Sequence, residues 1–118
     1  MESNLKSPSP IGHVDIGEDR FVLSLGSYMN GRIAVMLHTK GGEVYEIVSK
    51  NIPDLEIDGD QFFVNWYNLS PLILDALSKC GFFEDTGERV RPTGSFVELP
   101  LWEMTSMITA NYVTVVSE

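Results

Sequence analysis

From Phe21 onward the chain begins to alternate. Phe21, Leu23 and Leu25 share one face, with Val22 and Ser24 on the other, the period of two that marks a half-buried strand. After Asn30-Gly31 the alternation resumes, with Ile33, Val35 and Leu37 on one side and Ala34, Met36 and His38 on the other. An Asn-Gly pair between two such runs predicts a hairpin with a type I′ turn, which needs φ > 0 at both central residues. Lys40-Gly41-Gly42 supplies a second turn, and residues 43–49 read as a third strand. A three-stranded antiparallel meander is therefore expected over residues 20–49. Upstream, residues 1–10 hold Ser3, Ser7, Pro8, Ser9 and Pro10 without apolar period and read as a flexible tail. Residues 11–20 are mixed and lead into the first strand.

Asn51-Ile52-Pro53-Asp54 breaks the pattern, because Pro53 has no N–H for a ladder and biases Ile52 toward extended backbone. An acidic connection follows, and then a short strand, Phe62-Phe63-Val64, that ends at Trp66-Tyr67. Ser70 suits an N-cap, and Pro71 suits the first helical position, where its missing N–H costs nothing. Leu72, Ile73, Ala76 and Leu77 form a helical stripe, and Gly81 can end the helix in the left-handed region. A turn-rich stretch is expected from Phe82-Phe83 through Gly94, then a strand over residues 96–104. The segment from Met107 to Val116 reads either as another strand or as a tail. The fold class is α+β: a small antiparallel sheet, the meander plus one to three further strands, with one short helix packed on one face. The domain is expected over residues 11–106, flanked by the tail 1–10 and the segment 107–118.

Composition narrows the classes. The 118 residues carry 17 acids and 8 bases, a formal charge of −9, with 43% apolar residues. That is enough apolar surface to offset ordering entropy for most of the chain, and no apolar run approaches the roughly 20 residues of a membrane span. A single cysteine, Cys80, rules out an internal disulfide framework. Residues 1–59 hold 5 bases against 9 acids and residues 60–118 hold 3 against 8, so no basic stripe exists to displace counterions from phosphates. Direct nucleic-acid binding is disfavoured. The opening MESNLKSPSP shows neither the basic nor the apolar segment of a secretory signal, and the chain reads as soluble and intracellular.

Several pieces in order carry a resemblance. They are Asn30-Gly-Arg-Ile-Ala-Val35, Tyr45 followed by Asn51-Ile-Pro-Asp54, Phe62-Phe63 leading to Trp66, the Leu-rich helix, Phe83-Glu-Asp-Thr-Gly87 and Pro92-Thr-Gly-Ser-Phe-Val-Glu98. Together they resemble a small domain family of unknown function carried by bacterial phages, plasmids and integrative elements, over about residues 20–104. The resemblance implies an accessory gene of a mobile element acting in the cytoplasm of a bacterial host. It brings no catalytic residues with it.

Candidate chemistry is sparse. Asp54, Glu56, Asp58 and Asp60, with Gly59, imitate the opening of a calcium loop, but the twelfth place is Asn65 where a bidentate Glu belongs. The simpler reading is a solvated acidic connection, with a weak divalent site as the alternative. His13 and His38 lie far apart in sequence, and Cys80 sits at a helix C-terminus, where the dipole dulls a thiol. Neither a nucleophile elbow nor a phosphate loop occurs, and no cofactor is expected. The aromatic pairs are more suggestive. If Phe62-Phe63 and Phe82-Phe83 are extended, their members point to opposite faces, and one of each pair is expected on the surface. Phe63, Trp66, Tyr67 and Phe83, with Glu84 and Asp85, are thus the candidate contacts for a protein partner. A non-enzymatic, stoichiometric binder follows, with a host nucleic-acid-handling enzyme as a candidate partner and a defence inhibitor as its sharpest form. A homodimer stays open. The alternative is a small metal-dependent enzyme or hydrolase built on the acidic loop and a histidine.

Overall fold

A computed structural model of the chain describes residues 9–105. Two antiparallel four-stranded sheets and one helix make up an α+β fold. The first sheet is a meander of β1 (Ser9–Ile16), β2 (Asp19–Ser27), β3 (Ile33–His38) and β4 (Val44–Ile47), in that order. The second contains β5 (Ser49–Lys50), β6 (Gln61–Val64), β7 (Phe83–Val90) and β8 (Leu99–Met104), in the order β5-β6-β8-β7. The helix, α1 (Pro71–Lys79), follows a short 3₁₀ turn at Trp66–Asn68. The expected meander is present and gains a fourth strand, β1, which includes Ser9 and Pro10 from the stretch read as tail. The expected strand or tail at 107–118 lies outside the described residues, as do residues 1–8.

The hairpin at Asn30-Gly31 differs from the expected type I′ turn. Gly31 has φ +86°, but among the described residues no non-glycine has positive φ. The Tyr28 carbonyl accepts from Gly31 N–H at 2.8 Å, and Tyr28 N–H donates to the Arg32 carbonyl at 2.8 Å. Met29-Asn30-Gly31 is therefore a three-residue loop whose last residue is left-handed. Lys40-Gly41-Gly42 repeats the device, with Gly42 at φ +92° and Thr39 bonded in the same two ways. A register that lets a single glycine take up the left-handed turn leaves Asn30 free to accept from Arg32 N–H through its side chain.

Val48 joins the sheets. Its N–H donates to the Val35 carbonyl and its carbonyl accepts from Asn65 N–H, both at 2.8 Å. The buried Ser49 hydroxyl beside it accepts from Val35 N–H and bonds the Tyr28 hydroxyl. The main core lies between the sheets and under α1, built from Val14, Phe21, Leu23, Val35, Leu37, Phe62, Ile73, Leu77, Phe83 and Trp102 among others. A second cluster, Phe63, Leu99 and Leu101, lies apart from it, covered by Ile52, Leu55, Ile57, Val90 and Val97.

That second cluster overturns one expectation. Phe62 and Phe63 do point to opposite faces, but each face has its own core, so both rings are buried. Phe83 is buried as well, edge-on to Phe62 at 5.2 Å. Its neighbour Phe82 is half-buried, with its ring over Gly12 of β1. Phe63 and Phe83 are thus core residues and not surface anchors. The turn-rich reading of residues 83–90 is also corrected. They form β7, an edge strand whose ladder shifts register between Asp85 and Arg89 around Gly87, at φ +89°. Edge strands that carry charge and a bulge resist pairing with other chains, and for the same reason they lack apolar alternation.

Candidate functional site

The helix begins as its sequence dictates. Ser70 Oγ accepts from Ile73 N–H at 3.2 Å, Pro71 takes the first helical position, and Gly81 follows the Cys80 cap at φ +90°. Ile73 and Leu77 go into the core, which leaves the two flanks of α1 over open clefts. On one flank, a cleft of about 450 Å³ separates α1 from β1. It brings His13, Asp15, Asp75, Lys79 and Cys80 to its walls. Burial pushes the Cys80 thiol up, and its Sγ donates to the Leu77 carbonyl, so the thiol is poorly nucleophilic. Asp15 is paired with Arg20 and Asp75 with Lys79.

The other flank holds most of the expected contact residues. A cleft of about 450 Å³ is walled by Trp66, Pro71, Leu74 and Ser78 on the helix side and by Asp85, Arg89, Pro100 and Trp102 on the sheet side. A smaller recess of about 210 Å³, bounded by Ser78, Phe83, Glu84, Asp85 and Trp102, shares three of those residues and extends it. Trp66 is 40% exposed and Tyr67 43% exposed, and the two rings meet edge to face at 6.2 Å. Trp66 is aimed by its Nε1–H, which donates to the Glu98 carbonyl at 2.7 Å.

Charge is fixed along the sheet wall. Arg89 donates to both oxygens of Asp85, at 3.0 and 2.9 Å, and Gly87 N–H donates to the same carboxylate at 2.9 Å. A two-pronged guanidinium contact is among the stronger hydrogen-bonded pairs. Arg89 foremost, with Gly87 N–H and Trp102 beside it, holds the Asp85 carboxyl below its ordinary range against a push from burial. Trp102, cross-strand from Asp85, keeps a buried Nε1–H that completes no well-formed hydrogen bond. Glu84 stands exposed on the same strand.

Of the six expected contacts, Trp66 and Asp85 line the larger cleft, Phe83, Glu84 and Asp85 line the recess that shares a wall with it, and Tyr67 stands against Trp66. Phe63 lies in the other core. The lining residues Pro71, Leu74, Ser78, Arg89, Pro100 and Trp102 were not among the expected contacts. The spacing Pro71, Leu74, Ser78 marks a second helix flank, and it is the one signal that pointed there. Phe96, expected in a strand, instead sits in the β7–β8 connection and is 95% exposed.

The acidic segment is not a free loop. Leu55 and Ile57 turn inward onto Phe63, Leu99 and Leu101, while Asp54, Glu56 and Asp58 face solvent. Arg32 clamps the segment by donating to the Ile52 and Leu55 carbonyls. Among the described residues no group of three or more His, Cys, Asp or Glu side chains is placed to hold a metal ion, Asp54, Glu56, Asp58 and Asp60 included. No helix among them is long and apolar enough to cross a membrane. No protein-family model, curated protein or solved structure matches the chain.

Proposed function

We propose that this chain is a non-enzymatic accessory protein of a mobile genetic element, acting in the cytoplasm of a bacterial host by binding a protein partner in fixed ratio. Its sharpest form is an inhibitor of a host defence system, of anti-CRISPR or anti-restriction type. The observation that carries the reading is the cleft between α1 and the β7–β8 wall, where Trp66 and Tyr67 stand exposed beside Glu84 and Asp85. Aromatic rings at a partly desolvated centre with polar groups around them are how protein contacts concentrate affinity. Acids at the rim, on a chain of charge −9, speed encounter with basic surfaces such as those of nucleic-acid-handling enzymes. The mobile-element context rests on the ordered motifs described above.

Affinity capture from a bacterial host, with wild-type chain and with Trp66→Ala, tests the surface. A partner retained by the wild type and lost by the variant, with the variant's melting curve unchanged, is the expected outcome. Equal capture by both chains would show that the partner does not bind at the cleft. Turnover of a small molecule by the purified chain, at a ratio far above one, would replace binding with catalysis.

A further inference from the structure

The cleft on the β1 flank of α1 runs along a strand edge. Its sheet wall is five residues in a row, His13 to Gly17, and its helix wall includes Leu72, Ala76 and Cys80. Side chains of a strand alternate between faces, so a wall of consecutive residues is the edge of β1 and not one of its faces. Among the described residues β1 is the outermost strand of its sheet and pairs with β2 alone. The N–H and carbonyl of alternate residues therefore point into the cleft. Across from them Leu72 is 59% exposed. An unpaired edge beside an apolar helix flank accepts an extended segment through main-chain hydrogen bonds, with room for every second side chain.

The place where such a segment enters is fixed as well. Thr105, the last described residue, donates from its N–H to the Phe82 carbonyl at 3.0 Å and from Oγ1 to the Gly81 carbonyl at 2.9 Å. Gly81 follows Cys80 at one end of the cleft, and the Phe82 ring lies over Gly12, next to His13. Thr105 is thus tied at the His13–Cys80 mouth, while Gly17 and Leu72 meet at the far end. The sequence that follows suits the cleft. Residues 106–117 carry no charged side chain, and Ile108, Ala110 and Tyr112 alternate with Thr109 and Asn111, the period of a half-buried strand. Six extended residues reach about 20 Å, against about 17 Å for the five of the sheet wall. The charges beside the cleft are already matched, Asp15 to Arg20 and Asp75 to Lys79, so an uncharged occupant leaves no ion unpaired.

We propose that residues 107–112 of this chain occupy the cleft as a fifth strand of the first sheet, with Ile108, Ala110 and Tyr112 on the side of Leu72 and Ala76. The direction follows from the entry point. A segment that enters beside His13 and leaves beside Gly17 runs as β1 does, so the pairing is parallel. It closes the open edge of β1, a device by which proteins keep strand edges from pairing with other chains. The inference does not rest on the partner-binding reading, which uses the opposite flank of α1.

Amide hydrogen exchange of the full chain, read residue by residue, tests it without any partner present. Alternate amides in residues 107–112, those facing β1, are expected to exchange at least about tenfold more slowly than in an unstructured chain, at rates independent of protein concentration. Ile108→Pro combined with Thr109→Pro removes two neighbouring N–H groups, one of which faces β1 in a paired strand. That double variant is expected to lose the protection over residues 107–112 and at the cleft-facing amides of residues 13–17, while Leu23, Leu25, Val35 and Leu37 keep theirs. Exchange over residues 107–112 at the rate of an unstructured chain overturns the proposal. Protection that rises with concentration overturns it as well, because the segment then comes from a second copy. So does protection that survives the double proline variant unchanged.

Discussion

Gly31 and Asp85 show how much a single residue decides here. At φ +86° Gly31 occupies a region that a β-branched side chain avoids, although nothing lies within 4 Å of where its Cβ would stand. The cost of Gly31→Val is therefore backbone strain alone, expected at roughly 1–3 kcal/mol and read as a lower urea midpoint with an unchanged slope. The same substitution at Gly59, where no positive φ occurs and no neighbour crowds, is the control and should cost far less. Asp85 governs the acid limb. Arg89 lowers its carboxyl from the ordinary value of 3.8, so the fold binds this proton less readily than the unfolded chain does. Such a group contributes stability that is present above the unfolded value and is lost as pH falls through the lower folded value. Asp85→Asn should flatten the decline of stability below about pH 4. The effect is small, because the pair is more than 40% exposed on both sides and solvent screens it. Stability curves of the two chains that stay parallel from pH 6 down to pH 2 would show that the pair contributes nothing.

At the scale of elements, the segment between β5 and β6 separates two roles that its composition merges. Its Asp54, Glu56 and Asp58 face water, Asp60 is half-buried, and its Leu55 and Ile57 face the second core. Neutralising Asp54, Glu56, Asp58 and Asp60 to Asn or Gln should leave thermal stability unchanged or slightly higher, since it relieves repulsion and removes no packed atom. Leu55→Ala should cost about 1–2 kcal/mol, the loss of a partly buried aliphatic side chain. A calcium-dependent stabilisation seen only with the acids intact would revive the ion-site reading. The meander and helix were legible because their signals are local: alternation between turn glycines, and Ser70-Pro71 ahead of an apolar stripe. β7 was not legible. Glu84, Asp85, Glu88 and Arg89 all face solvent on an edge strand with a bulge at Gly87, and nothing in their order distinguishes that strand from a loop.

For the molecule as a whole, what stayed hidden was the second core. Opposite-facing rings at Phe62 and Phe63 imply one buried and one exposed only if the sheet has a single covered face. The side of sheet two away from the helix is covered by residues as remote as Ile52 and Val97, a non-local fact that no period reveals. The same layering draws Trp66 and Asp85, nineteen residues apart in sequence, to one cleft, with Glu84 in the recess beside it. The central claim is that this cleft binds a protein partner in fixed proportion and transforms nothing. Titration calorimetry of the captured partner with this chain tests it most directly, run at low and at high salt. Saturation is expected at one chain per partner site, with weaker binding as salt screens the acids and a higher Kd for Glu84→Lys. Heat that continues to evolve long past equimolar ratio, from one chain acting on many partner molecules, would contradict it.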